Sequence, residues 1–391
     1  MNLGFLNPLL HRPGPWASVY MDTSAIAEDA VAVQELQARD AGDRLAGLGA
    51  DEATCRAVYG ALAGASRDDA GRAVFATDGE VVLDVPLASP PPAPPTADWA
   101  VLPRLAPLLE YGGEPACLVA FVDRKGADLQ LRAGHGRPRP AGKVTGQQWP
   151  LHRTGRDDWS ERHFQLAVEN TWEENAALIA RALADEAGRT EAEVLVLAGD
   201  PRERRAVRDR LPEELRATAV ESEHGGRAAG SSQELLDADV ERARADRSRA
   251  HAEEALSRFR AGRAPAGDRI DAAEGVPALV DAAREHRIDE LLLRPGGADL
   301  HHDVWVGTEP DQLAMRRSES QYLGEPLPAA ARADDALLRS AAATGATVIG
   351  LPAGDGGRPG ADGAVPVGGL GALLRWPYQG AVPGGGARPE R

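Results

Sequence analysis

Cysteine is nearly absent from this 391-residue chain: Cys55 and Cys117 are the two that occur, with no Cys-x-x-Cys spacing and no cluster of histidines beside them. That scarcity fits a reducing compartment and gives no support to a structural metal or a disulfide framework. Long apolar runs are also missing. No stretch is long enough to span a bilayer. The opening MNLGFLNPLLHRPGPW has no cationic start, and its short apolar run stops at His11, Arg12 and Pro13, so no signal peptide is expected. The sequence has no P-loop, no GxGxxG, no Gly-x-Ser-x-Gly and no two-histidine metal motif, the common signatures of nucleotide, hydrolase and metal chemistry. The expectation is a cytoplasmic protein with no cofactor, no metal and no membrane partner.

Net charge separates the whole from one of its parts. At −16 overall, the chain is a poor indiscriminate ligand for nucleic acid, because counterion release rewards net positive surface, and DNA is not an expected partner. Between Arg124 and His163, however, nine Lys/Arg face four Asp/Glu, a local balance of +5. Charge is screened beyond about 8–10 Å, so a local island can hold a polyanion whatever the total. Trp149 and Trp159 flank the loop within it and offer flat faces on which bases stack.

At this length two or three domains are expected, and punctuation suggests three: 1–113, 114–265 and 266–378, with a Gly/Pro-rich tail over 379–391 that reads as disordered. In the first, Ser18–Asp22 reads as a strand. Ala25–Leu48 reads as a helix with Val31, Leu36, Leu45 and Leu48 as core candidates. Asp78-Gly79 between two apolar runs marks a hairpin. Proline-rich Pro86–Thr96 reads as an exposed connection outside any sheet or helix. In the second, Cys117–Val122 and Ala127–Arg132 flank a turn at Asp123–Gly126. Asp158 with Glu161 three residues on forms a capping box for a long helix. Phe164, Val168, Trp172, Ile179 and Leu183 share one face of that helix. Val194–Leu197 is a buried strand, Pro201 sits in a first helical turn, Ala217–Val220 is a weaker strand, and Gln233–Arg260 is a polar helix with few core anchors. The arginines of Pro201–Arg210 read as a solvated helix face with i,i+4 partners, and His301-His302 as solvated loop. In the third, Gly275–His286 and Asp334–Ala343 read as helices, and Ile288–Leu293 and Thr347–Leu351 as strands. Helices alternating with apolar strands specify layered α/β (α+β) domains.

The order of hairpin, loop, long helix and strand resembles the central domain of the archaeal and eukaryotic class-one release factor and Pelota superfamily. Ala273-Glu274-Gly275, the strands IDELLL and TVIGLP, and Gly369–Arg375 resemble its third domain, whose fold is like that of kink-turn-binding ribosomal proteins. The nearest branch is the bacterial, largely actinobacterial group of release-factor-like proteins, to which the hibernation factor Balon is related. The resemblance covers Pro115–Tyr378 well and the first segment by position alone.

The departures carry as much weight as the matches. Release factors of this superfamily hydrolyse peptidyl-tRNA with a Gly-Gly-Gln tip on the loop before the long helix. Here that loop reads Pro150–Trp159, PLHRTGRDDW, with one glycine and no glutamine after it. The codon-reading Asn-Ile-Lys-Ser type motif is absent from residues 1–113 as well. The resemblance therefore implies a factor that docks in the aminoacyl-tRNA site and blocks or preserves idle ribosomes, as in hibernation, rather than one that releases peptides. Ribosomal RNA of both subunits is the implied partner, and a translational GTPase such as elongation factor Tu the implied carrier. Arg137, Arg139, Lys143, Arg153, Arg156 and Arg162 are the candidate phosphate contacts, with His152 or Trp159 stacking on a base. Two alternatives stay open: a peptidyl-tRNA hydrolase in which His152, Gln147 or Gln148 orients water, and a generic α/β protein with a small-molecule pocket.

Overall fold

The computed structural model describes residues 3–10, 12–24, 30–66, 69–111, 115–133, 138–146, 158–226, 233–263, 269–324, 328–352 and 366–379, with 158–170, 269, 322 and 377–379 described through their backbone. The expected disordered tail beyond Gln379 lies outside them. The chain forms two compact units, one made of Met1–Gly113 with Arg249–Arg391 and the other of Glu114–Ser248. Both mix helices and sheets.

The first unit begins with α1 (Asn7–Leu10), β1 (Trp16–Asp22), α2 (Ala30–Gly47), α3 (Glu52–Ala63), β2 (Gly71–Thr77), β3 (Glu80–Leu87), β4 (Thr96–Ala100) and α4 (Pro107–Tyr111). Its antiparallel sheet has the order β3-β2-β1-β4. The β2–β3 hairpin turns at Asp78 and Gly79, both at positive φ (49° and 76°), the geometry that Asp-Gly favours. Strand β1 is buried from Trp16 to Met21, on both of its faces. Ala17, Val19 and Met21 pack with Ala38, Ala41, Leu45, Val58 and Leu62 of the two helices, whereas Trp16 and Tyr20 join a core that extends to residues 273–372.

Three expectations need correction here. Val31, Leu36 and Leu48 are exposed (53, 63 and 54%). Helix α2 instead buries Ala30, Gln34, Ala38, Ala41 and Leu45, a stripe of mostly small residues that lets α3 approach closely. Gln34 stays in the stripe because its amide caps the end of α3, donating to the carbonyls of Leu62 and Ala65. Helix α3, started by Asp51, whose carboxylate accepts from the Thr54 amide, has no counterpart in the sequence reading. The proline-rich segment does enter the sheet at both ends: Pro86 and Leu87 close β3 and Thr96 opens β4. Pro86 is tolerated because β3 is an edge strand.

The second unit holds β5 (Cys117–Asp123), β6 (Gly126–Arg132), β7 (Arg139–Thr145), α5 (Asp158–Thr190), β8 (Val194–Gly199), α6 (Pro201–Arg208), α7 (Glu213–Thr218), β9 (Ala219–Glu221) and α8 (Gln233–Arg263), which runs past the unit boundary. Its sheet order is β7-β6-β5-β8-β9, with β5, β8 and β9 parallel and the first three strands an antiparallel meander. Alternation along β5 serves two layers. Leu118, Ala120 and Val122 face Ala176, Ile179, Ala180 and Leu183 of α5, while Cys117 and Val119 face Leu236, Val240 and Ala243 of α8. Burial pushes the Cys117 thiol up to about 12, so it is an inert core group. The polar helix α8 has more anchors than expected, since Ala252, Ala255 and Phe259 are also buried. The expected strand at Ala217–Val220 is shifted: Glu213–Thr218 is helical and the strand spans Ala219–Glu221.

The first unit is completed by β10 (Arg269–Glu274), α9 (Val276–Arg284), β11 (Ile288–Leu293), β12 (Asp303–Val306), β13 (Leu313–Ala314), α10 (Arg317–Tyr322), β14 (Ala329–Arg332), α11 (Ala333–Thr344), β15 (Thr347–Gly350) and β16 (Leu370–Gln379). The larger sheet runs β10-β16-β11-β15, with β11 and β15 parallel; β13-β12-β14 is a small second sheet. His301 and His302 are exposed, as expected. Every residue of α11 from Ala333 to Ala342 is buried, Asp334, Asp335 and Arg339 included.

Those buried charges are paired across the whole length of the chain. The Arg104 guanidinium donates to Asp334 (2.8 Å) and to both oxygens of Asp335 (3.1 and 3.0 Å). Arg332 also donates to Asp334 at 2.7 Å, and Asp335 accepts the Leu105 amide at 2.8 Å. Tyr20 donates to the Arg104 carbonyl at 2.6 Å, and Ser18 accepts the Arg104 amide. Arg339 donates to the carbonyls of Leu10, Gly307 and Thr308. Burial works against the Arg104 charge, but Asp335 and Asp334 outweigh it and raise its pKa. Burial and then Asp334 push Asp335 up to about 7, opposed by Arg104 and the Leu105 amide.

Removing one member should be costly, because the remaining charges stay buried. Arg104→Ala is expected to lower stability by about 3–5 kcal/mol in equilibrium urea unfolding. The raised Asp335 carboxyl sets a pH sign. Between its ordinary 3.8 and about 7 the folded chain holds a proton that the unfolded chain has released. Its contribution is therefore largest at low pH and is lost as pH rises through about 7. The stability advantage of wild type over Asp335→Asn should shrink across that window, read from urea unfolding at several pH values.

Candidate functional site

The segment between β7 and α5 is where the sequence concentrates its candidate residues, and the structure describes the root from which it leaves. Arg124 and Lys125 form the tip of the β5–β6 turn, held by the Asp123 carboxylate, which accepts the Lys125 amide at 2.7 Å. Gly126 follows at φ 150°, where a Cβ would lie 1.9 Å from the Val144 carbonyl oxygen, so glycine lets β7 pass against the turn. The last described residue of that strand end, Gly146, donates its amide to the Lys125 carbonyl at 2.8 Å.

Helix α5 closes the other side. The buried Asn175 donates to the Arg124 carbonyl at 3.1 Å. A Cβ on Gly146 would sit 2.5 Å from the Asn175 amide group, so the two are in direct contact. The Arg124 guanidinium lies over the Trp172 ring, 4.6 Å from its centroid, and 3.5 Å from Glu203 of α6. Burial raises the Glu203 carboxyl, with Arg124 acting in the opposite direction. Trp172, expected in the core, is half-buried, and the cation above it explains why an aromatic ring remains at that edge.

The candidate residues divide sharply. Arg139 and Lys143 are exposed on edge strand β7. Arg139 pairs with Leu131 and Lys143 with Asp128, and the bulge at Ala141 between them turns the two cations to opposite faces of the sheet. Lys143 Nζ is 3.9 Å from the Asp128 carboxylate. Trp159 and Arg162 lie on the first turns of α5, with side chains outside the described residues, as are those of Glu161, Phe164 and Val168. Arg137, Gln147, Gln148, Trp149, His152, Arg153 and Arg156 fall outside the described residues altogether. Sequence reasoning missed Arg124, Trp172, Asn175, Gly146 and Glu203 as one cluster. The Asp-Arg-Lys-Gly turn was readable as a hairpin, but nothing in it signals a partner fifty residues away.

The arginines of α6 are not one solvated face. Arg204 is buried near Glu221 and Arg208 donates to Glu221 at 3.2 Å, both across to β9. Arg205, Arg208 and Arg216 line an open cleft of about 450 Å³ with Asp209, Glu213 and Glu221, so its charge is mixed. Among the described residues no group of three or more His, Cys, Asp or Glu could hold a metal ion, and no helix is long and apolar enough to cross a membrane.

Comparison with known proteins places this scaffold. Residues 116–265 match bacterial archaeo-eukaryotic release factor family 2. An uncharacterized protein of Mycobacterium tuberculosis, Rv2629, is 30% identical over 379 residues, covering 94% of this chain and 95% of the relative. The chain belongs to this release factor family. Solved structures similar to it include the archaeal translation termination factor aRF1 (15% identity, 95% of both chains, TM-score 0.24). Archaeoglobus fulgidus Pelota (14%, 80% of both, 0.34) and Saccharomyces cerevisiae Dom34 (12%, 68% of this chain and 64% of that one, 0.35) are others. Within family 2, the matched span contains the whole β5–β9 unit and therefore the clustered root of the β7–α5 segment.

The stacked Arg124 gives a direct test of this family member's site. Arg124→Ala should cost about 0.5–1 kcal/mol, the size of a cation–π contact at an exposed edge, in thermal or urea unfolding of the full chain.

Proposed function

We propose that this family member is a ribosome-associated translation factor that docks in the aminoacyl-tRNA site and blocks or preserves idle ribosomes without Gly-Gly-Gln-dependent release. One observation carries the reading. In a chain that belongs to a release factor family, the segment between β7 and α5 reads GQQWPLHRTGRD, with a single Gly-Gln pair far from the helix and no Gly-Gly-Gln. The local balance of +5 between Arg124 and His163 supports binding to a polyanion without hydrolysis, because phosphate contacts need charge and not a positioned water. The first segment, 1–113, would face the decoding centre and the 135–163 loop the peptidyl transferase centre. Arg139 and Lys143, one on each face of the edge strand, would meet phosphates on either side of it. Delivery by a translational GTPase belongs to the same reading.

Co-sedimentation with purified ribosomes tests it. The protein should pellet with ribosomes at about 50 mM salt and leave them as salt rises, with Arg139→Ala and Lys143→Ala each making the negative slope of log K against log salt shallower by about 0.7–0.9. A protein that stays in the supernatant at low salt while ribosomes pellet overturns the proposal. On ribosomes loaded with peptidyl-tRNA no peptide release is expected. Release that disappears in Gln147→Ala, Gln148→Ala or His152→Ala variants would establish the hydrolase alternative instead.

A further inference from the structure

We propose that Arg124, Gly146, Trp172 and Asn175 form a clamp that locks the end of β7 to the middle of α5, making them positioning residues for the segment between those elements. Four independent contacts meet at one turn. The Gly146 amide reaches the Lys125 carbonyl, the Asn175 amide reaches the Arg124 carbonyl, the Arg124 side chain stacks on Trp172, and Gly146 lacks the Cβ that would strike Asn175. A two-residue turn needs none of these to reverse a hairpin, because its own backbone geometry closes the strand pair. The additional contacts join the turn to Trp172 and Asn175 of a helix that packs on the same sheet.

Chemistry distinguishes the members. Asn175 must donate while remaining almost fully buried (4% exposed), so aspartate or alanine at this position leaves the Arg124 carbonyl without its amide partner. Trp172 needs a π face and not merely bulk, because it is the guanidinium above it that fixes the turn. Gly146 needs to remain glycine for contact alone: its φ lies outside the left-handed region. Glu203 holds the far side of Arg124, which keeps the guanidinium over the ring.

The clamp stands apart from ribosome binding; its bearing on that binding rests on the function proposed above. Amide hydrogen exchange of the full-length protein, without ribosomes, reads it directly. In Asn175→Ala and in Trp172→Leu the residue-146 amide should exchange roughly tenfold faster, as expected for loss of about one hydrogen bond's net worth, while amides of core strands β5 and β8 stay protected. Trp172→Phe should restore wild-type exchange. Gly146→Ala should loosen the same amide, and Gly146→Ala combined with Asn175→Ala should be no looser than Asn175→Ala alone, because the colliding group is gone. Unchanged exchange at residue 146 in the single variants, with the core still protected, overturns the clamp. So does exchange that rises equally in β5 and β8, including in the conservative Trp172→Phe, since the contacts would then be structural throughout. Ribosome co-sedimentation of the same variants separates the two proposals: faster exchange with wild-type protein that never pellets leaves the clamp standing and removes the ribosome reading.

Discussion

Arg104 and the two acids at the start of α11 hold the larger unit together. Strand β1 is buried on both faces, so its sheet cannot fold on α2 and α3 alone without leaving Trp16, Tyr20 and Phe75 in water. The face that carries these three shares one core with residues 3–10, 102–108 and 273–372, the last of these beginning almost 200 positions beyond Phe75. Apolar burial supplies the drive for that union but little direction. Direction comes from the charges: a guanidinium matched to two carboxylates, with the Leu105 amide, Ser18 and Tyr20 fixing the backbone around it, permits one seating. Buried ion pairs are weak stabilisers and strong specifiers, and the raised Asp335 carboxyl shows what that specificity costs here.

The smaller unit solves a different problem. Its five-stranded sheet is covered on both faces by helices, which leaves edge strand β7 as the exposed margin. Lys143 and Arg139 blunt that edge, and the bulge at Ala141 twists it, both ordinary protections against unwanted strand pairing. The same two cations are the candidate phosphate contacts whose side chains are described. A protective charge and a polyanion contact ask for the same side chains, so this margin can serve both ends at once.

Local signals were legible where backbone chemistry dictates them. Asp-Gly announced the β2–β3 turn, Asp200-Pro201 announced α6, and apolar runs announced β5, β8, β11 and β15. Helix faces were harder. Val31 and Leu36 looked like core because they are apolar, whereas α2 buries alanines, whose small size says nothing until a partner helix is known. Helix α3, the shift of β9 and the pairing of Arg204 with Glu221 depend on tertiary context in the same way. The family was readable from the order of elements. The clustered root of the β7–α5 segment was not, since Arg124, Gly146 and Asn175 are separated by tens of residues and no short motif links them.

Helix α5 has one further consequence through its length. Its contact with the Arg124 turn is made at Trp172 and Asn175, seventeen residues from its start at Asp158. At 1.5 Å per residue that stretch measures about 25 Å. On the N-terminal side of that contact the helix is a lever arm: a tilt of about 10° there displaces Asp158 by about 4 Å over such a length. Accuracy at the far end is thus set by stiffness at the fulcrum, and a few well-packed atoms at Gly146 and Asn175 govern a position they never touch.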